Sequence, residues 1–290
     1  MNPKPRIIFL GTPEFAATVL AEILLEHNQE VVLEAVFSRP DAPQGRGQHL
    51  TPCPVKTLAI SAGIPVFTPD TKAELASEIE AINPDLVVVV AYGMIIPKSI
   101  TDAYFCMNIH GSILPKYRGA APIHAALLNG DTETGITLIK MNEALDAGNM
   151  LSIHRYPIAE HDNFKTLHDG LAELSVAAWK TFIASFKAQC LIEIPQNDAE
   201  SSYAAKLSKS DSELLKTDSP QVLLGKIRAF SPTPGAWTWA EGKRIKVLSA
   251  QLNKDHLTVL TVKPEGKKEM SYHDYCLNHP PLFFEETTPC

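Results

Sequence analysis

Leu86-Val87-Val88-Val89-Val90 is an unbroken aliphatic run with helical patterns on either side, and it leaves through Ala91-Tyr92-Gly93-Met94-Ile95-Ile96-Pro97. A continuous β-branched run of this length fits a central parallel strand covered by helices on both faces. Upstream, Arg6-Ile7-Ile8-Phe9-Leu10 reads as a first buried strand. Gly11-Thr12-Pro13-Glu14 then turns the chain into a helix with Pro in its first turn and Glu near its positive end. Phe15, Val19, Leu20, Ile23 and Leu24 recur at helical spacing and read as core. A strand over 31–37, a helix over 55–61, a short strand over 65–67 and a helix over 73–82 complete the approach to Leu86. Beyond it the pattern predicts a strand over 106–110, a helix over 122–128, strands over 136–139 and 150–158, and a long helix from Asn163 to about Lys187. This alternation is an α/β fold of Rossmann-like type with a mainly parallel sheet. No GxGxxG follows the first strand, which removes the main warrant for a dinucleotide site.

In open α/β sheets ligands bind beyond the carboxyl ends of the strands, so the chemistry is sought there. Met107-Asn108-Ile109-His110-Gly111 puts a carboxamide and an imidazole two residues apart on one strand end, facing the same side. A neutral imidazole takes up a proton, and a carboxamide donates a hydrogen bond to a developing oxyanion. Asp146, in the turn-rich segment 140–148, is the carboxylate expected to pair with His110. There it would fix the tautomer of the ring and favour its cation during turnover. These three groups form an acyl-transfer constellation.

The remaining features narrow the class. Five cysteines at 53, 106, 190, 276 and 290 make no CxxC pair and read as reduced thiols without a zinc site or a disulfide frame. His154, His161 and His168 are evenly spaced but fall on different elements, so no metal is expected. The longest apolar run is too short to span a bilayer, and Ile7-Ile8-Phe9-Leu10 is too short for the core of a secretory signal. The net charge of −7 divides into −9 over residues 1–205 and +2 over 206–290, where 12 Lys and Arg face 10 Asp and Glu, so the later part is the better polyanion contact. Segment 38–54 is a long polar loop with four prolines and two glycines. It carries Arg46 between the glycines, suited to a phosphate or an RNA backbone.

Asn108-x-His110, the run from Gly111 through Ser112-Ile113-Leu114-Pro115-Lys116-Tyr117-Arg118-Gly119-Ala120-Ala121 to Pro122, and Asp146-Ala147-Gly148 together make the chain resemble the methionyl-tRNA formyltransferases. These belong to the wider family of 10-formyltetrahydrofolate-dependent formyltransferases. The resemblance implies 10-formyltetrahydrofolate as formyl donor, no metal, and the amino group of initiator methionyl-tRNA as acceptor, with Asn108, His110 and Asp146 catalytic. It implies folate contacts from Met94, Ile95 and Ile96, largely through backbone atoms, and from Ser112, Ile113, Leu114 and Pro115. It sets Arg46 against the tRNA acceptor end, and Lys116, Tyr117 and Arg118 toward either a glutamate tail or RNA. It also implies a catalytic domain over 1–188, a linker over 189–205 and a tRNA-binding, OB-like barrel over 206–290. That barrel is opened by Arg228-Ala229-Phe230 and Pro234-Gly235-Ala236-Trp237 and is abbreviated before Val262-Lys263-Pro264. A cytoplasmic monomer with no membrane attachment is expected. Formylation of an amino sugar nucleotide is the nearest alternative, and an inactive tRNA- or folate-binding homologue is another.

Overall fold

The computed structural model describes residues 4–44, 49–254 and 256–283. In chain order the elements begin with β1 (Arg6–Gly11), α1 (Glu14–Glu26), β2 (Val32–Phe37), β3 (Ala42–Gln44), β4 (His49–Thr51), α2 (Pro54–Ser61), β5 (Val66–Phe67), α3 (Lys72–Ile82) and β6 (Leu86–Val90). They continue through α4 (Lys98–Ala103), β7 (Cys106–His110), β8 (Arg118–Gly119), α5 (Pro122–Leu128), β9 (Glu133–Lys140), β10 (Met150–Pro157) and α6 (Phe164–Lys187). The last part contains β11 (Tyr203–Ala204), α7 (Pro220–Phe230), β12 (Ala236–Ala240), β13 (Lys243–Asn253), β14 (His256–Pro264), β15 (Met270–Ser271) and α8 (Tyr272–Cys276).

Seven strands form one sheet in the order β10-β9-β7-β6-β1-β2-β5. β1 runs parallel to β2 and β6, β6 to β7, and β2 to β5, while β9 returns antiparallel to β7. The chain winds from β1 toward β5 on one side and then resumes at β6 on the other. The crevice where strand order reverses therefore lies beside the ends of β1 and β6. All five residues of β6 are buried, as a strand covered on both faces requires. On one face Ile8, Leu10, Val87 and Val89 pack with Leu75 and Ile79 of α3 and with Tyr92, Ile96 and Ile100. Gly11 ends β1 because a Cβ there would sit 2.7 Å from Phe9 and 2.8 Å from Ala16, so only glycine lets α1 start this close to the strand. Thr12 then donates its hydroxyl to the Tyr92 carbonyl at 2.8 Å and ties the turn after β1 to the exit of β6.

Two compact units emerge, one comprising 1–118, 135–156 and 169–202, the other 119–134, 157–168 and 203–290. In the second, β12, β13, β14 and β15 make a four-stranded antiparallel sheet, which is the abbreviated barrel-like domain. Segment 38–54, expected to be a loop, closes on itself instead. Ala42, Pro43 and Gln44 pair antiparallel with Thr51, Leu50 and His49. Arg46 lies outside the described residues. No helix among those described is long and apolar enough to cross a membrane.

Candidate active site

β7 fixes two of the three expected groups. Its parallel pairing puts Asn108 opposite Val89 of β6, and its antiparallel pairing puts Asn108 opposite Ile139 and His110 opposite Thr137 of β9. Asn108 and His110 are 9% and 5% exposed, so their polar atoms need internal partners. Asp146 provides one for Asn108 and approaches His110. Its Oδ1 accepts from Asn108 Nδ2 at 3.3 Å, and its Oδ2 lies 3.6 Å from His110 Nδ1. The expected trio thus converges around one carboxylate at the carboxyl end of β7.

Asp146 reaches this position because the β9–β10 connection doubles back tightly. Lys140 N–H donates to the Asn149 carbonyl at 2.9 Å, and Met141 N–H to the Cys106 carbonyl at 2.8 Å. Gly148 passes so close to Lys140 that a Cβ would lie 1.9 Å from its carbonyl oxygen. Asp146 itself has φ +50°, in the left-handed region that Asp tolerates better than most residues.

The tautomer of His110 is set from the other side, contrary to the expectation that Asp146 sets it. Nε2 is 2.9 Å from the Tyr117 carbonyl oxygen. A carbonyl only accepts, so Nε2 carries the hydrogen and the neutral ring keeps Nδ1 as its basic atom. At 3.6 Å the Asp146 oxygen is beyond a good hydrogen bond to Nδ1 but near enough to stabilise a charge that appears there. Tyr117 presents its carbonyl from φ +62°, with its N–H donated to Ser202 Oγ at 3.0 Å. The turn before it is closed by Ser112 Oγ donating to the Lys116 carbonyl at 2.6 Å and by Lys116 N–H donating to Ile113.

The residues expected to contact folate fall into two groups. Ser112, Leu114 and Ile96 are buried, with the Ser112 hydroxyl spent inside its turn and the Leu114 N–H donated to Thr137 Oγ1. Met94, Ile113 and Pro115 are half-buried, and Ile95 is 64% exposed. The exit of β6 therefore shows Ala91 and Gly93 exposed beside one exposed apolar side chain. Tyr92, buried between them, has its hydroxyl pushed up to about 12 by burial and stays a neutral wall.

Arg118 corrects its expected exposure to a ligand. It is 3% exposed, donating from Nε and Nη2 to Gln196 Oε1 at 3.1 and 2.8 Å and from Nη2 to Asp198 Oδ1 at 2.7 Å. The amide of Gln196 in turn donates to the carbonyls of Asp146 and Gly148, each at 2.8 Å. Neither Gln196 nor the Tyr117 carbonyl is visible to a motif reading, because the first sits in an apolar-poor stretch and the second acts through its backbone. Among the described residues, no group of three or more His, Cys, Asp or Glu is placed to hold a metal ion.

The formyl transferase family model matches residues 5–183, and the model of the formyl transferase C-terminal domain matches residues 206–258. The chain is 38% identical over 303 residues to a methionyl-tRNA formyltransferase from Hydrogenovibrio crunogenus, covering 95% of this chain and 96% of that one. It is 43% identical over 246 residues to one from Geobacter sulfurreducens, covering 83% and 77%. Its fold matches that of a methionyl-tRNA formyltransferase from Clostridium thermocellum with a TM-score of 0.60 at 16% identity, over 90% of this chain and 98% of that one.

Proposed function

The chain belongs to the formyl transferase family, and from that premise we propose that it transfers a formyl group from 10-formyltetrahydrofolate to the amino group of methionine on initiator methionyl-tRNA, for translation initiation. The observation that carries this reading is the convergence of Asn108 and His110 on Asp146 within 3.6 Å at the end of β7. The donor brings an electrophilic formyl carbon and a nitrogen leaving group. Asn108 has two N–H donors. One is held by Asp146, and the other is the donor for the formyl oxygen as negative charge gathers on it. His110 takes the proton released by the attacking amine at Nδ1, the nitrogen that the Tyr117 contact leaves basic, and the proton passes to the donor nitrogen as its bond to the formyl carbon breaks and tetrahydrofolate leaves. Asp146 stabilises the resulting imidazolium and keeps the carboxamide turned toward the reaction.

The strip after β6 fits a flat heterocycle with polar edges, since Gly93 and its neighbours offer backbone groups and Met94 and Ile95 offer apolar surface. Folate contacts are assigned to Met94, Ile95 and Ile96 on that strip and to Ser112, Ile113, Leu114 and Pro115 after β7. We assign 1–188 to catalysis, 189–205 to a linker whose residues 193–196 lie along the Asp146 loop, and 206–290 to tRNA binding, with Arg46 touching the acceptor end. The outer face of the C-terminal sheet supports the RNA assignment. Trp237 lies opposite Lys246, Lys246 opposite Lys263, and Trp239 opposite Arg244, so aromatic and basic side chains share one surface. Trp239 is 54% exposed, and the Arg244 guanidinium lies 4.1 Å from the Trp237 ring centre. Exposed aromatic rings with interleaved cations are what a nucleic acid strand needs. The protein is proposed to act as a cytoplasmic monomer.

Relatives named methionyl-tRNA formyltransferase at 38–43% identity favour this acceptor over an amino sugar nucleotide and over an inactive homologue. The test offers purified protein labelled 10-formyltetrahydrofolate with charged initiator tRNA, charged elongator tRNA and an amino sugar nucleotide in parallel. Label on the initiator species is expected. Label on the sugar nucleotide, or on none of the three, overturns the proposal.

A further inference from the structure

We infer that Gln196 is a positioning residue for the formyl-transfer site, holding the Asp146 loop and the Tyr117 turn on opposite sides of His110; this rests on the catalytic reading above. A glutamine amide has two donors and one oxygen with two lone pairs, and here all four are engaged. Nε2 donates to the carbonyls of Asp146 and Gly148, while Oε1 accepts from Nε and Nη2 of Arg118. Arg118 directly follows Tyr117, whose carbonyl holds His110 Nε2, and its own N–H donates to the Ser202 carbonyl at 2.8 Å. One amide thus joins the loop presenting the carboxylate to the loop presenting the carbonyl, and the imidazole lies between them.

The neighbouring residues follow the same course. Glu193 accepts from Lys140 Nζ at 2.7 Å and from Asn149 Nδ2 at 3.0 Å, and Ile194 exchanges backbone hydrogen bonds with Met150. Segment 193–196 is therefore laced along the Asp146 loop from its first residue to its last. Asp146 has a left-handed backbone, which a loop keeps only where its surroundings over-determine it. The two Gln196 donors supply that restraint at the residue itself and two residues beyond.

Two substitutions separate positioning from support. Gln196→Glu keeps an acceptor for Arg118, now fully charged, but loses both donors to the loop carbonyls. Gln196→Met keeps the length and loses all four bonds. Displacing a reacting group by about 1 Å costs up to roughly 100-fold. The expected result is a kcat loss of roughly 10- to 100-fold in both variants, with KM for donor and tRNA within about threefold of the parent. The Glu variant sets a carboxylate oxygen against both loop carbonyls, so it, like the Met variant, is expected to unfold earlier than the parent. A purely structural role lowers the unfolding midpoints and leaves the kcat of the folded enzyme parental in both variants. The ring nitrogen NMR signals of His110 report the clamp independently of turnover. The parent should show one Nε2–H tautomer, which Gln196→Glu should keep through its bond to Arg118 and Gln196→Met should turn into a mixture. An unchanged ring spectrum in Gln196→Met overturns the inference whatever the rates do, and so does a parental kcat for Gln196→Glu. If the parent formylates no acceptor, the catalytic reading falls and the ring spectrum alone decides whether Gln196 positions the loops.

Discussion

His110 Nε2 and the Tyr117 carbonyl oxygen are 2.9 Å apart, so the ring is held by its far nitrogen and meets Asp146 with its basic one. The carboxylate is therefore not needed to choose the tautomer. Its work begins when Nδ1 gains a proton. Asp146→Asn should accordingly leave the neutral Nε2–H ring intact in the nitrogen spectrum yet lower kcat by roughly 10²-fold or more, within the range for general acid–base assistance. Asn108→Ala should cost about 10²–10³ in kcat through loss of an oxyanion donor, and His110→Ala about 10²–10⁴. Single-turnover rates near parental in all three would remove the assignment.

Gly148 is the tightest point of the Asp146 loop. A methyl group there would stand 1.9 Å from the Lys140 carbonyl oxygen, and backbone cannot give way as a flexible side chain can. Gly148→Ala should open the loop, destabilise the fold by about 1–3 kcal/mol and reduce formyl transfer at least tenfold. Gly63 is the contrasting site. It has φ +71° with nothing within 4 Å of a built Cβ, so Gly63→Ala should lose about 1 kcal/mol of stability while turnover is unchanged. Equal loss of activity in both variants would show that the Gly148 effect is general destabilisation.

How far these features could be read in advance depends on the range over which each is determined. The β-branched run Leu86–Val90 and the period-two placement of Asn108 and His110 are local signals, and strand geometry turns them directly into position. Asp146 is readable only as a carboxylate in a turn. Its meeting with Asn108, 38 residues earlier, is made by the β7–β9 pairing. Arg118 looks like a ligand cation because a charged residue after Lys116 and Tyr117 is ordinarily exposed, yet Gln196 and Asp198 satisfy it internally. Gln196 itself sits in Pro195-Gln196-Asn197-Asp198, which has the composition of a linker. Its partners are backbone carbonyls about 50 residues away and leave no side-chain pattern to find. The pairing of 42–44 with 49–51 is hidden by Pro43, Pro52 and two glycines, all of which ordinarily mark a loop.

His124 gives the second unit a pH dependence of defined sign. Its ring stacks on Phe164 with centres 4.0 Å apart and lies 5.8 Å from Phe230. Burial, followed by the proximity of His168, brings it down from 6.5 to about 4. The unfolded chain takes up this proton near pH 6.5 and the folded chain only near 4. As pH falls through that window the unfolded state binds more protons, and folding stability declines. His124→Phe keeps an aromatic ring in the stack and removes the titration. Urea unfolding midpoints between pH 7.5 and 4.5 should therefore fall less steeply in the variant than in the parent. Parallel slopes would assign the acid sensitivity to other groups.

The aromatic and basic face of the C-terminal sheet separates acceptor binding from chemistry. Trp239 is more than half exposed, and Arg244 lies 5.5 Å from its ring centre and 4.1 Å from that of Trp237. Exposing a large ring in this way gains nothing for folding, whereas a stacked base or ribose would bury it. Loss of one stacking ring costs about 1–3 kcal/mol of nucleic acid binding, so Trp239→Ala should raise KM for charged tRNA by roughly 5- to 150-fold. KM for the folate donor should not change, because the trio at the end of β7 and the strip after β6 use no residue of this sheet. Lys246→Gln and Lys263→Gln should each weaken binding by less and flatten its dependence on salt, as expected for cations that neutralise phosphates. The measurement is tRNA affinity by filter binding over a salt series, set beside transfer kinetics at saturating donor. Parental tRNA affinity in Trp239→Ala would move the RNA contact to another face of the C-terminal domain.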